Sequence, residues 1–262
     1  MSDPGPSLTA QRVAAHRLSF DRLQVPYGDP AADDRLARDI AGPLERPPRE
    51  SMERYLRGRT AFFDRAAVDA LESGTGQAVV IGAGYDGRAL RYAKPGVRWW
   101  EVDLAKTQLD KRARLARLGV ATPNITFVPH DLRDGNLGAC LVTAGFDPLS
   151  AAIFICEGVA VYLSRNVLGA LLREVRGVAA PGARLAISLS TSPRPGVLGA
   201  LEHAARRERF ERRAARVGEP ALTRFGPGEA AQLLAATGWE ELPVREKAQL
   251  AGFVIAVPAG GP

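Results

Sequence analysis

Lysine, cysteine, histidine and methionine are all scarce in this chain of 262 residues. Of its 35 basic residues only four are lysines (94, 106, 111 and 247), so arginine carries the positive charge. The two cysteines, Cys140 and Cys156, have no C-x-x-C spacing and no histidine cluster nearby. That excludes a disulfide framework and a zinc-type site, and no metal is expected. A reducing, cytoplasmic setting is the corresponding expectation. No run reaches the ~18 apolar residues of a membrane span, and the opening Met-Ser-Asp-Pro-Gly-Pro has neither a basic nor an apolar leader segment, so neither span nor signal peptide is expected. A formal charge of +6 with pI near 9.7 invites a nucleic-acid partner. Aromatics make up only 6% of the chain and form no stripe with the basic residues, so stacking on nucleic acid is not expected.

What the chain does have is enough apolar content, 46%, to bury the core of one α/β domain with an accessory cap. The informative stretch is Gln77-Ala-Val-Val-Ile-Gly-Ala-Gly-Tyr-Asp-Gly-Arg-Ala-Leu-Arg91. A short β-branched run empties into Gly82-Ala83-Gly84, and Arg88 to Arg91 read as helix. Glycines there let the backbone turn sharply and approach a ligand, and the helix aims its first amides at it. A second strand, Val97 to Val102, ends in Asp103, where an acid can accept both hydroxyls of a ribose. Gly82, Gly84 and Gly87 satisfy G-x-G-x-x-G, a weak pattern by itself that suits a dinucleotide. The bulky Tyr85-Asp86 before the third glycine favours S-adenosylmethionine instead, a small cofactor whose methionine end would lie on the glycine loop.

Taken in order, the spacing predicts a helix from Ser7 to about Leu23, a short one from Ala31 to Ile40, and a longer one from Arg49 to Leu71, bent near Gly58. Helix Leu104 to Leu118 follows the second strand. Strands Ile125–Val128, Ala152–Cys156 and Arg184–Ser188 come next, with a helix capped by Ser164 running to about Ala180. Beyond Ser188 an Arg-rich helix is predicted from Ala200 to Val217 and another through Ala236. Two final strands, Glu240–Val244 and Leu250–Val257, are close enough to pair as a hairpin. The predicted architecture is an α/β, Rossmann-like, doubly wound and mostly parallel sheet closed by an antiparallel hairpin, with a helical lid. Residues 1–72 form the lid segment and 73–262 the core, with a second lid insertion at about 190–224.

Several stretches together resemble the leucine carboxyl methyltransferase family. They are Arg59-Thr60 with Phe63-Asp64, the glycine stretch, Glu101-Val-Asp103, Asp131-Leu-Arg133, Gly145-Phe-Asp-Pro148 and Glu157-Gly-Val-Ala-Val-Tyr-Leu163. Within that family the chain is similar to bacterial polyketide and small-metabolite carboxyl methyltransferases. The resemblance implies a class I methyltransferase fold and S-adenosylmethionine as cofactor. It implies that Arg59 binds the methionine carboxylate, that Gly82 and Gly84 underlie the methionine, and that Asp103 holds the ribose. Asp131 and Leu132 would read the adenine edge, and Glu157 would lie near the cofactor amine. One departure is Asp86-Gly87-Arg88, where bacterial relatives usually carry Asp-Thr-Arg.

A carboxylate acceptor is ionised at neutral pH and needs no general base. Tyr162 is the candidate acceptor contact, with Arg194 and Arg224 beside the lid. A hydroxyl or phenol acceptor would need a base, for which His16 is the candidate; His130 and His203 are placed less suitably. A member of the family that has lost methyl transfer is the remaining alternative. The expected partner is a small molecule.

Overall fold

The computed structural model describes residues 7–42, 50–190, 222–226, 228–243 and 252–260. Helices α1 (Leu8–Arg17), α2 (Pro30–Ala41) and α3 (Glu50–Glu72) precede strand β1 (Gln77–Ile81). Then come α4 (Arg88–Arg91), β2 (Arg98–Asp103), α5 (Ala105–Arg117), β3 (Ile125–Pro129), α6 (Leu137–Thr143) and β4 (Ala152–Cys156). A 3₁₀ turn, Ala160–Tyr162, leads into α7 (Arg165–Gly177) and β5 (Arg184–Ser188); α8 (Glu229–Ala236), β6 (Trp239–Glu241) and β7 (Phe253–Pro258) finish the fold.

The strands form one sheet in the order β3-β2-β1-β4-β5-β7-β6. The first five are parallel, and β7 runs antiparallel to both β5 and β6. The strand order reverses between β1 and β4, and ligands of open α/β sheets bind outside the carboxyl ends of the strands at such a reversal.

Alternation along the strands divides the core in two. Val79, Ile81, Trp100, Val102, Phe154, Leu185 and Ile187 face α6, α7 and α8, where Leu141, Leu168, Leu172 and Leu234 meet them. Ala78, Val80, Trp99, Ile153, Ile155 and Ala186 face the other way, against Leu36 and Ile40 of α2, Phe63 and Leu71 of α3, and Leu115 of α5.

The ends of several helices follow from their caps. Asp29 accepts from Ala32 N at 2.8 Å with Pro30 opening α2, and Ser164 accepts from Val167 N to start α7, as its sequence predicts. The predicted first helix is longer than the observed one: after Arg17 the chain leaves α1 through a turn at Leu18–Phe20 and continues without regular structure. Helix α3 continues through Gly58 without a break. One glycine costs about 1 kcal/mol in a helix, little against the burial of Leu56, Phe63, Ala67 and Leu71. Helix α6 has no counterpart in the predicted elements, and the last two strands begin and end at other residues than predicted. The predicted Arg-rich helix at 200–217 and most of the second lid insertion lie outside the described residues.

Candidate functional site

Strand β1 delivers the chain to Gly82 and Gly84, whose φ values of 66° and 49° lie in the left-handed region that favours glycine. Space as well as torsion fixes them. A Cβ on Gly82 would strike Val159, and one on Gly84 would come within 2.8 Å of Ala10 Cβ, so α1 lies directly over the turn. Asp103 leaves the end of β2 and folds back onto this turn. Its Oδ2 accepts from Gly84 N at 2.7 Å and its Oδ1 from Leu104 N at 2.8 Å. Burial pushes the Asp103 carboxyl up, against the pull of those donors.

Glu157 follows β4 on the same edge and gathers three guanidinium groups. Arg59 Nε donates to its Oε1 at 2.9 Å, while Arg17 Nη2 and Arg88 Nη1 donate to its Oε2 at 3.0 and 2.6 Å. Burial alone would raise this carboxyl; Arg88, Arg17 and Arg59 together outweigh it and hold Glu157 well below the usual range. Arg88, wholly buried, also donates through Nε to Asp64 and through Nη1 to Asp86. Arg22, beyond the end of α1, donates to Asp64 and Asp33, and Arg91 Nε reaches Asp33 at 2.6 Å. Helix α1, the chain just past it and the glycine turn are thereby joined by a lattice of buried ion pairs. Arg17 Nε, inside this lattice, is buried with no hydrogen-bond partner among the described residues.

The structure brings Arg59, Gly82, Gly84, Asp103 and Glu157 to one sheet edge around the β1/β4 reversal. Asp131, beyond β3, accepts from Arg133 N at 3.0 Å and pairs with the Arg133 guanidinium, which holds its carboxyl down. That is the geometry of a turn residue, and any adenine contact would share this carboxylate with Arg133. Leu132 packs half-buried against the core. Tyr162 closes the 3₁₀ turn after β4, with its N–H on Val159 O at 2.9 Å. His16 sits half-buried on α1; burial pushes its imidazole down, partly opposed by Glu53. His130 Nδ1 lies 3.7 Å from Cys140 Sγ, away from the lid. Arg224 is in place through its carbonyl, which accepts from Arg165, while Arg194 and His203 lie outside the described residues. The residues the sequence did not single out are Arg17, Arg22 and Asp33. Arg17 and Asp33 lie on α1 and α2 and Arg22 follows α1, where a charge ordinarily reads as part of a solvated face.

The family profile described as leucine carboxyl methyltransferase matches residues 10–176, which takes in every element from α1 to α7. The chain belongs to the leucine carboxyl methyltransferase family. A Mycobacterium tuberculosis relative, called a putative S-adenosyl-L-methionine-dependent methyltransferase, is 37% identical over 191 residues, covering 68% of this chain and 63% of its own. The chain thus spans less than two thirds of that relative's length. A Mycobacterium avium protein of the same description is 36% identical over 260 residues, covering 88% of this chain and 82% of its own. Among solved structures, a putative methyltransferase from Thermobifida fusca superposes with a TM-score of 0.61 over 99% of this chain and 97% of that one, at 17% identity. That likeness shows the fold, a class I methyltransferase.

The site of this leucine carboxyl methyltransferase family member fits the cofactor of its relatives, S-adenosylmethionine. The left-handed glycines present backbone toward the strand ends. Asp103 has a carboxylate with about four acceptor positions, so the donors it already holds leave capacity for ribose hydroxyls. The unpartnered Arg17 Nε beside Glu157 offers a buried donor. Among the described residues no group of three His, Cys, Asp or Glu could hold a metal ion, and no helix is long and apolar enough to cross a membrane.

Proposed function

We propose that the protein is an S-adenosylmethionine-dependent O-methyltransferase that esterifies a carboxylate on a small metabolite. The observation that carries the reading is the pairing of Asp103 with Gly84 N at the strand reversal, with Glu157 and its three arginines opposite. Gly82 and Gly84 would underlie the methionine moiety, Asp103 would hold the ribose, Asp131 and Leu132 would border the adenine, and Arg59 would meet the methionine carboxylate. Residues 1–72 and the insertion at about 190–224 would act as lids over the core. Bound there, the cofactor supplies an electrophilic methyl group on a sulfonium. The protein's own task is alignment and exclusion of water, which is worth ~7 to 11 kcal/mol of barrier when the geometry is right. Glu157, kept ionised by its arginines, can hold the cofactor amine without taking its proton. Tyr162, just past β4, would contact the acceptor.

Isothermal titration tests the cofactor. Binding of S-adenosylmethionine or its demethylated product near 1 μM, about −8 kcal/mol, is expected. Binding of NADPH without either would overturn the reading.

One observation favours a second reading, hydroxyl methylation. Burial pushes the His16 imidazole down, which favours the neutral form that a general base requires. The two acceptors separate by pH and by alkali. A carboxylate gives a rate flat above pH ~5, whereas a His16-assisted hydroxyl gives a rate rising through a pKa below ~6.5. Label from S-adenosylmethionine that survives mild alkali and disappears in His16→Ala identifies the hydroxyl.

A further inference from the structure

Helix α3 carries more than Arg59 to the sheet edge. Tyr55, one turn earlier, has its ring centroid 5.7 Å from the Phe253 ring, and Phe62 lies 5.6 Å from Phe253 on the other side. Phe253 begins β7 and pairs with Ser188 at the end of β5. Ser188 Oγ in turn accepts from Gly158 N at 2.7 Å, and Gly158 follows Glu157. A Cβ on Gly158 would come within 2.9 Å of Arg59 Nη1, so the Arg59 guanidinium is packed against this main chain. The aromatic row therefore stands at the β4/β5 end of the same edge whose β1/β2 end carries the glycine turn and Asp103. In a sheet of this order ligands bind outside the carboxyl ends of the strands beside the reversal, so the row borders the same crevice.

The exposure along the row is uneven. Phe63 is fully buried and Phe253 is 7% exposed, but Tyr55 is 46% exposed, and Met52, one turn before it on the same face, is 38% exposed. The Arg59 guanidinium carbon lies 5.6 Å from the Tyr55 ring centroid, so this half-exposed ring borders the charged centre. An aromatic face held open beside the charged centre, with a flexible thioether at its border, suits a flat ring better than an alkyl chain.

We propose that Tyr55, backed by Phe253 and flanked by Met52, is a wall of the acceptor site, and that the methyl acceptor is an aromatic compound. This rests on the reading of the glycine turn as the cofactor site. It adds the class of acceptor and a residue that selects it.

The test is titration of the full chain with 2-naphthoate, 2-naphthol and octanoate, with and without saturating S-adenosylhomocysteine. Both naphthyl probes are expected to bind more tightly than octanoate. Tyr55→Leu should weaken them roughly three- to tenfold, and Tyr55→Phe should retain them. Equal binding of octanoate, no binding of either naphthyl probe, or naphthyl binding unchanged in Tyr55→Leu would overturn the proposal. So would equal losses in Tyr55→Phe and Tyr55→Leu, because the hydroxyl rather than the ring would then be the whole effect. The reading it rests on fails differently: S-adenosylhomocysteine would not bind at all. A naphthol that binds better than naphthoate, and is methylated when S-adenosylmethionine replaces S-adenosylhomocysteine, would remove the carboxylate while leaving the aromatic wall in place.

Discussion

The two faces of the sheet are built on different principles. Toward α6, α7 and α8 the buried side chains are a continuous apolar layer, Trp100, Phe154, Leu168, Leu172 and Ile187 among them. Toward α1 to α5 the apolar layer is interleaved with buried charge: Arg17, Arg22, Asp33, Asp64, Asp86, Arg88 and Arg91, with the Lys111–Glu101 pair beneath. Replacing buried ion pairs by apolar residues is often neutral or stabilising, so such a lattice is weak evidence for stability. Its worth lies in direction. It fixes where α1 sits over Gly84 and which carboxylates stay ionised, tasks that an apolar layer of equal volume does not perform.

The contrast can be broken most forcibly at Arg88. Arg88→Met leaves Asp64, Asp86 and Glu157 sharing fewer cations in a dry site and should cost about 3–5 kcal/mol in denaturant unfolding. On the apolar face Leu168→Ala should cost about 2–5 kcal/mol by transfer and cavity. The pH dependence tells the two apart. Asp64, Asp86 and Glu157 are held below their ordinary values, against the burial that would raise them. Their contribution is therefore fully present above pH ~4.5 and is lost as pH falls through the depressed values. The Arg88→Met penalty should shrink on acidification below pH ~4, and the Leu168→Ala penalty should not. A penalty at Arg88 that is constant from pH 3 to 7 would mean that packing, not charge, is what the side chain supplies.

Next in size is Asp103→Ala, expected to weaken S-adenosylhomocysteine binding by about 1.5–3 kcal/mol in calorimetry. It also strips Gly84 N and Leu104 N of their acceptor, so stability should fall by about 1–3 kcal/mol. Unchanged affinity in the folded variant would leave Asp103 as a cap of the glycine turn alone. The smallest effect is expected at Arg38, whose side chain is 66% exposed and 3.8 Å from Asp34. Arg38→Ala should change stability by no more than about 0.5 kcal/mol, showing that position rather than arginine as such sets the cost.

How much of this was legible in the sequence follows the same division. Strands β1, β4 and β5 stand where their apolar runs place them, because a strand buried on both faces needs such a run. The Ser164 cap was readable because the capping oxygen is three residues from its donor. Helix α6 was not readable. Its N-cap, Asn136, is left-handed with φ 67° and makes no side-chain bond, and the first amide is taken by Glu174 from α7, at 2.5 Å. A cap supplied from so far along the chain leaves no local signature. The early end of α1 has a similar cause: the chain after it carries Arg22 to Asp64 and Asp33, and those partners are 42 and 11 residues away. In the site, Arg59, Asp103 and Glu157 were legible from their family setting. Arg17 was not, because what distinguishes it is an unpartnered Nε created by the fold.

Torsion does not require a glycine at 87, since its φ of −103° is open to any residue. Volume does. A Cβ at 87 would occupy the place of the Asp33 carboxylate, which Arg22 and Arg91 hold from two sides. Residues 33 and 87 therefore behave as one composite position, half on α2 and half on the glycine turn. The fold can hold a side chain at 87 or a carboxylate reaching in from 33, and a single substitution moving between them passes through a clash or a void.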